Sequence, residues 1–115
     1  MNNPLAQQSC QALKGAEHLL TPSQCAHLIT QLKQWQLAEQ GLALCKTVHF
    51  QNYYQTIAFV NALAYIAHQE DHHPDLSVHY NRCEIRFSTH DVGGLSINDF
   101  ICAAKTDALL ATQLV

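Results

Sequence analysis

The chain has 115 residues, of which 48% are hydrophobic and 13% charged, so one compact domain is expected and disorder is not. Its net charge is −3 with histidines neutral, and its six Lys and Arg residues are scattered, which argues against nucleic-acid binding through a basic surface. No apolar run approaches the roughly 18 residues of a membrane span, and the first residues lack the basic and apolar parts of a signal peptide. We therefore expect a cytoplasmic protein.

The five cysteines are odd in number, and no two of them are spaced as C-x-x-C. A disulfide framework or a cysteine zinc site is therefore not expected. Four of the five fall in apolar-periodic segments, where a free thiol behaves as a small hydrophobic side chain: Cys25, Cys45, Cys83 and Cys102.

Residues 1–20 carry weak signals and are predicted to form a loosely ordered arm. A helix is expected next, because Thr21 can cap it, Pro22 suits its first position and Gln24 completes a capping box. The helix is predicted to end near residues 33–34. Its apolar residues recur at helical spacing: Cys25, Leu28, Ile29 and Leu32.

Two strands are predicted at residues 35–39 and 42–50, joined as a hairpin by a turn at Gln40–Gly41. In the second strand Lys46 is the polar exception on an otherwise apolar face. The apolar members of that face are Leu42, Leu44, Val48 and Phe50.

A second helix is predicted to begin at Asn52 and to end at about residues 69–70. Its buried stripe is expected to consist of the apolar residues at 3.6-residue spacing: Tyr53, Ile57, Val60, Ala64 and Ala67. Pro74 disfavours a helical conformation at His73. His72 and His73 are therefore expected just past the helix C-terminus, where the helix dipole favours a cation.

Residues 77–80 and 83–88 are predicted strands, and the second of them alternates between apolar and polar side chains. Gly93–Gly94 indicates a loop. Ser96 and Asp99 form the capping-box pattern of a third helix, which is expected to run nearly to the end of the chain.

The predicted element order is helix, two strands, helix, two strands, helix. Strand pairs joined by tight turns favour an antiparallel sheet, and amphipathic helices would cover one of its faces. The expected fold is α+β with two layers, a four-stranded antiparallel sheet covered on one face by helices. Residues 21–115 would form this single domain, after the arm at residues 1–20.

Eight histidines are the unusual feature of the composition. His68 and His72 lie four apart, so one helix face could carry both as metal ligands. His90 or Asp91 could add a third ligand, although the glutamate of the H-E-x-x-H motif is missing. Metal-free acid–base catalysis by imidazoles is the other functional possibility. Histidines with no motif nearby are expected to be structural: His18, His27, His49 and His79.

One constellation in the second half of the chain has the spacing of a known signature: His68-Gln69-Glu70-Asp71-His72-His73-Pro74, Tyr80, Ser88-Thr89-His90-Asp91, Gly94-Leu95-Ser96 and Asp99. It resembles that of the pterin-4a-carbinolamine dehydratase family, and Trp35 and His49-Phe50 upstream also fit. The similarity covers roughly residues 20–113. It departs at Leu76, where the family often has a bulky aromatic residue, and at His68, where an acidic residue is commoner.

By this resemblance, His72, His73 and His90 correspond to the family's three active-site histidines. His72 and His90 would transfer protons, and His73 would mainly hold the substrate. Substrate binding is implied for His73 and for four further residues: Trp35, Ser88, Thr89 and Asp99. The residue pattern alone leaves core packing open for Trp35 and a helix cap open for Asp99. The family requires no metal and no bound organic cofactor.

The activity implied by the resemblance is dehydration of 4a-hydroxytetrahydropterin to the quinonoid dihydropterin, which recycles the cofactor of an aromatic amino-acid hydroxylase. A homodimer or a dimer of dimers is also implied. Two alternatives stay open, namely a non-catalytic dimerisation adaptor or pterin-binding protein, and a role in molybdenum-cofactor metabolism. Neither nucleic acid nor a membrane is an expected partner.

Overall fold

The computed structural model describes residues 4–112, and this part of the chain contains three α-helices and four strands. In chain order they are α1 (Pro22–Ile29), β1 (Gln36–Ala38), β2 (Ala43–His49), α2 (Tyr53–Glu70), β3 (Asp75–Val78), β4 (Arg82–Phe87) and α3 (Ile97–Leu110). Short 3₁₀ turns lie at Pro4–Gln7, Ala16–His18, Glu39–Gly41 and His90–Val92. Within residues 4–112, every helix is too short or too polar to cross a membrane.

The strands form one antiparallel sheet in the order β1-β2-β4-β3. Its register places Leu44 opposite Phe87, and both Lys46 and Leu76 opposite Ile85. Because side chains alternate along a strand, these five residues share one face of the sheet. That face is the apolar one that the sequence predicted, with Lys46 as its polar exception.

Helices α2 and α3 pack on this face, and the core lies between them and the sheet. The largest fully buried side chains come from both layers: Leu44, Phe59, Leu63, Ile85, Phe87, Leu95, Phe100 and Ile101. The opposite face carries exposed polar residues such as Thr47, Ser77 and Glu84. The predicted two-layer α+β fold with a four-stranded antiparallel sheet is confirmed.

Helix α1 begins as predicted but ends earlier. The Thr21 hydroxyl accepts from the Gln24 amide at 3.1 Å, and the Gln24 side chain accepts from the Thr21 amide at 2.8 Å. The helix ends at Ile29 rather than near residues 33–34. Tight i→i−3 bonds replace the helical ones over residues 30–32, because the Thr30 hydroxyl competes for the His27 carbonyl at 2.6 Å.

The predicted buried stripe of α2 was right at Ala67 and wrong by roughly one residue elsewhere. The buried positions are Thr56, Phe59, Leu63 and Ala67. Tyr53 is 53% exposed and Ala64 is also exposed, whereas Ile57 and Val60 are only half-buried. Apolar residues occur around much of this helix, so its sequence periodicity is compatible with two different buried faces. The face that is buried is the one that carries the larger side chains of Phe59 and Leu63.

Strand β3 begins at Asp75 and ends at Val78, two residues earlier than the predicted segment 77–80. It starts directly after Pro74, at the first position where an amide can join the ladder. It ends because the His79 amide bonds to the Arg82 carbonyl, which closes the turn into β4.

The N-terminal segment lies across α3. Leu5 is 3% exposed and belongs to the core. The Lys105 ammonium donates to the Ala6 carbonyl at 2.8 Å. The boundary at residue 20 and the loose ordering of the arm stay predictions.

Candidate active site

The end of α2 positions the two neighbouring histidines. The helix ends at Glu70, and Asp71 adopts the left-handed conformation with φ 52°. The His72 amide then bonds back to the Ala67 carbonyl at 3.1 Å, which is a common way to end a helix. His72 and His73 therefore leave the helix on a hydrogen-bonded turn that Pro74 stops, as the sequence predicted.

His72 is held by a buried carboxylate. Its Nε2 lies 2.6 Å from Oδ1 of Asp99, which is 0% exposed, whereas the His72 side chain is 12% exposed. On another side the imidazole stacks on Phe87, with ring centroids 6.0 Å apart and planes at 7°. The imidazole is therefore fixed in orientation while keeping some access to solvent.

The second oxygen of Asp99 is also occupied. Oδ2 accepts from the Thr89 hydroxyl at 2.7 Å and from the Ser96 amide at 2.9 Å. Because the Thr89 proton goes to Asp99, the Ser96 hydroxyl is the donor in its 2.7 Å contact with Thr89. The capping box predicted for α3 is confirmed, and its carboxylate also holds His72.

His90 reaches the same end of the sheet from β4. Asp75 pairs with Arg86, so the start of β3, just after His72 and His73, lies beside the end of β4. His90 follows that strand end and is exposed. A groove of about 260 Å³ is lined there by Glu39, Leu42, Arg86, Ser88, Thr89, His90, Gly93 and Gly94. His72 does not line this groove and connects to it through Asp99 and Thr89.

The remaining predicted substrate ligands differ in accessibility. His73 is exposed, and no hydrogen bond of its side chain is found within residues 4–112. Ser88 is half-buried, and its hydroxyl accepts from Arg86 at 3.3 Å. Thr89 lines the groove but is only 7% exposed, and its hydroxyl is engaged by Asp99 and Ser96, whereas Asp99 is fully buried behind it. Direct substrate contact by each of these four residues stays a prediction.

Trp35 is 6% exposed and sits one ring behind His72. Its ring centroid is 5.9 Å from that of Phe87, which in turn stacks on His72. The indole Nε1 donates to Asp107 at 2.8 Å. Core packing, one of the two predicted roles, describes this environment, and a role beside the substrate stays a prediction.

The histidine and carboxylate side chains do not gather as a metal site in the part of the chain that the structure describes. No group of three or more His, Cys, Asp or Glu side chains in residues 4–112 is arranged to hold a metal ion. His68 is exposed, whereas His72 is engaged by Asp99. A metal-free site stays a prediction.

Two residues of the site carried no functional prediction. Phe87 was assigned only to a strand face, yet it forms the flat surface behind His72. Ser96 was assigned as a cap and belongs to the family constellation without a role of its own, yet its hydroxyl also supports Thr89. The alternation in β4 signals that Phe87 faces inward, but no sequence pattern links it to a residue of α2.

The fold and the site together define a class of protein. It is a small α+β domain that presents histidines at one end of an antiparallel sheet, with one imidazole oriented by a buried carboxylate. Such an arrangement suits proton transfer to and from a bound molecule, because a carboxylate fixes the tautomer of the imidazole and stabilises its protonated form.

Comparison with known proteins identifies the family to which this chain belongs. Residues 18–109 match the family described as "Pterin 4 alpha carbinolamine dehydratase". A protein of Stenotrophomonas maltophilia (strain R551-3), with the provisional name pterin-4-alpha-carbinolamine dehydratase, is 63% identical over 106 residues, which are 92% of this chain and 91% of that protein. A protein of Xanthomonas axonopodis pv. citri (strain 306) with the same provisional name is 60% identical over 106 residues, covering 92% and 90%. The chain belongs to the pterin-4a-carbinolamine dehydratase family.

Solved structures with the same fold have more than one described role. A "transcriptional coactivator/pterin dehydratase" from Brucella melitensis superposes with a TM-score of 0.75 and 28% identity, over 78% of this chain and 96% of that one. A pterin dehydratase-like protein, described as a RuBisCO assembly factor in the alpha-carboxysome, superposes with a TM-score of 0.60 and 26% identity, over 70% and 94%.

Proposed function

We propose that this protein is a 4a-hydroxytetrahydropterin dehydratase, a hydro-lyase that forms the quinonoid dihydropterin and water. The observation that carries the proposal is the 2.6 Å contact between His72 and the buried Asp99, in a chain that keeps all three family histidines. The carboxylate orients an imidazole that keeps some access to solvent, which is an arrangement that general acid–base catalysis uses.

The reaction needs two proton transfers, and the site offers a group for each. The 4a-hydroxyl leaves as water once it receives a proton, and the ring nitrogen beside it gives up a proton. Asp99 accepts from Nε2 of His72, so neutral His72 has its lone pair on Nδ1 and is poised to accept the ring-nitrogen proton. His90 is then the group that protonates the leaving hydroxyl, and His73 binds the substrate.

The test is the dehydration of freshly generated 4a-hydroxytetrahydropterin, followed by ultraviolet absorbance with a chelator present. The wild type is expected to accelerate the reaction, and His72→Ala with His90→Ala to abolish the acceleration, since each positioned proton transfer contributes about 100- to 10,000-fold. His27→Ala, on the exposed side of α1, is the matched control and should keep full activity. A wild type no faster than the spontaneous reaction would overturn the proposal, and sensitivity to the chelator would overturn its metal-free mechanism.

Single variants distinguish the role of His72 as general base from that of His90 as general acid. Loss of a general base is compensated as the pH rises, and loss of a general acid as the pH falls. The residual rate of His72→Ala is therefore expected to increase with pH, and that of His90→Ala to decrease. The reverse pattern would exchange the two assignments.

The physiological setting is proposed as well. The product is the oxidised pterin that a reductase would return to an aromatic amino-acid hydroxylase, so the protein would act in cofactor recycling in the cytoplasm, as a homodimer or a dimer of dimers. The exposed aromatic side chains on α2 support self-association, since Tyr54 is 77% and Tyr65 is 64% exposed and they lie three helical turns apart.

The same tyrosines favour a second candidate function, that of an adaptor that binds another protein through α2. The dehydration rate of the wild type distinguishes the two functions, and Tyr54→Ser with Tyr65→Ser separates that rate from contacts made through α2. An enzyme keeps its dehydration rate per folded subunit in this variant, whatever its oligomeric state by light scattering. An adaptor has no dehydration rate to keep, in the variant or in the wild type.

A further inference from the structure

Two cysteine thiols that play no part in the site touch each other. The Sγ atoms of Cys10 and Cys102 are 3.5 Å apart, although the residues are 92 positions apart in sequence. Cys10 is half-buried in an irregular segment of the N-terminal arm, and Cys102 is 1% exposed within α3. The other cysteines make no sulfur–sulfur contact within residues 4–112.

Polar contacts hold the arm in register against α3 and against the end of α2. The Gln11 amide donates to Oδ1 of Asn98 at 3.1 Å, and Nδ2 of Asn98 returns a bond to the Gln11 carbonyl at 2.6 Å. The Cys10 amide donates to the Glu70 carboxylate at 2.8 Å. The position of Cys10 over Cys102 is therefore set by the backbone around it and does not depend on the sulfur contact.

We propose that Cys10 and Cys102 form a reversible disulfide by exchange with a low-molecular-weight disulfide, and that this bond attaches the arm covalently to α3. The sulfurs must approach from 3.5 Å to about 2.0 Å. Cys10 lies outside regular secondary structure, so the arm can make this small movement while α3 stays in place.

The chemistry balances with the small disulfide as the oxidant. The Cys10 thiolate attacks one sulfur of the small disulfide, whose S–S bond breaks and releases one small thiol. Cys102 then gives up its proton and attacks the Cys10 sulfur, and the second small thiol leaves. Two protein thiols are oxidised to one disulfide, and one small disulfide is reduced to two thiols.

The order of the two steps follows from exposure. Cys10 is accessible to a small reagent and Cys102 is not. The contact with Cys10 and burial both raise the pKa of Cys102, so Cys102 is not the thiol that attacks the small disulfide first. The same geometry makes Cys102 the thiol that attacks the mixed disulfide at Cys10 and completes the protein disulfide.

The test uses the full chain, equilibrated with oxidised and reduced glutathione at mildly alkaline pH. Exchange is quenched with acid, and the protein is then alkylated in denaturant with excess reagent at neutral pH, where the thiolate can react, and analysed by mass. The expected result is one intramolecular disulfide that peptide mapping assigns to Cys10 and Cys102, and that dithiothreitol reverses. The oxidised protein should melt at least about 5 °C higher, because the bond closes a long loop.

Two variants keep the proposal falsifiable. Cys10→Ser should form no disulfide and show no oxidant-dependent rise in Tm, whereas Cys45→Ser, a half-buried cysteine on the sheet, should behave as the wild type. Recovery of both residues as alkylated thiols, a stable glutathione adduct at Cys10, or a disulfide that involves another cysteine would overturn the proposal. None of these outcomes depends on dehydratase activity.

Discussion

Asp99 connects the cap of α3 with the imidazole of His72. One carboxylate oxygen accepts from the Ser96 amide and the Thr89 hydroxyl, and the other meets His72. A buried carboxylate is costly unless donors surround it, and here three donors do so. A change in the cap of α3 is therefore expected to reach the imidazole directly.

Thr89→Val tests the connection between the α3 cap and His72 by removing a single hydroxyl. The substitution keeps the side-chain volume and removes the donor to Asp99. We expect a loss of about 1.5–3 kcal/mol in the free energy of unfolding and a fall of roughly tenfold in kcat, equivalent to about 1.4 kcal/mol in the barrier. Urea unfolding followed by the fluorescence of the single tryptophan and the dehydration rate measure the two effects.

Thr89→Ser restores the hydroxyl and is the matched control, with kcat expected near that of the wild type. A positioning role lowers kcat, because His72 is less well held. If Thr89→Val instead raised KM and left kcat unchanged, the hydroxyl would be a substrate ligand, as the family resemblance implied.

At the scale of elements, a buried ionic cluster joins α3 to the sheet. Asp107 accepts from the Trp35 indole at 2.8 Å, from the Lys46 ammonium at 2.9 Å and from the Lys33 amide at 2.9 Å. The side chains of Lys46 and Asp107 are 9% and 6% exposed. This cluster explains how a lysine is accommodated on the apolar face of β2, since its charge is paired where it is buried.

Asp107→Ala is expected to cost about 3–5 kcal/mol in the free energy of unfolding, because it leaves the Lys46 charge buried without its partner. Asp75→Ala is the matched control. It removes an ion pair with Arg86 in which the carboxylate is 82% exposed, so it should cost less than about 1 kcal/mol. If urea unfolding gave the same loss of free energy for both substitutions, burial would not be the reason for the larger contribution of Asp107.

For the whole molecule, buried thiols make the free energy of unfolding depend on pH in the alkaline range. Burial, with a smaller effect of Glu84, raises the pKa of Cys83 from 9.0 to about 11. Burial also raises the pKa of Cys25 and of Cys45. In each case the unfolded chain loses its thiol proton at a lower pH than the folded protein does. The contribution of Cys83 is therefore fully present below about pH 9 and is lost as the pH rises towards about 11.

Comparison with Cys83→Ala isolates this effect from other groups that titrate in the same range. The variant is expected to be less stable than the wild type near neutral pH, because it leaves a small cavity in the core. That difference should shrink by about 2 kcal/mol at about pH 10.5, since a pKa difference of one corresponds to about 1.4 kcal/mol. A difference that stays constant with pH would show that Cys83 titrates normally in the folded protein.

The caps of the three helices and the end of α2 could be predicted from the sequence alone. The caps at Thr21, Asn52 and Ser96 and the end of α2 before His72 lie where the sequence predicted them. These features depend on residues within a few positions of each other, which is the range over which caps and alternation act. The family motif, for the same reason, was visible as a set of spacings.

Contacts between distant segments were decided only by the tertiary structure. The meeting of His72 with Asp99, of Lys46 with Asp107 and of Cys10 with Cys102 joins residues 27, 61 and 92 positions apart. The face that α2 buries was decided in the same way, because its apolar residues allowed two orientations. Spacing along the chain does not show which of these side chains touch, since such contacts form only when helices dock on the sheet and the arm docks on α3.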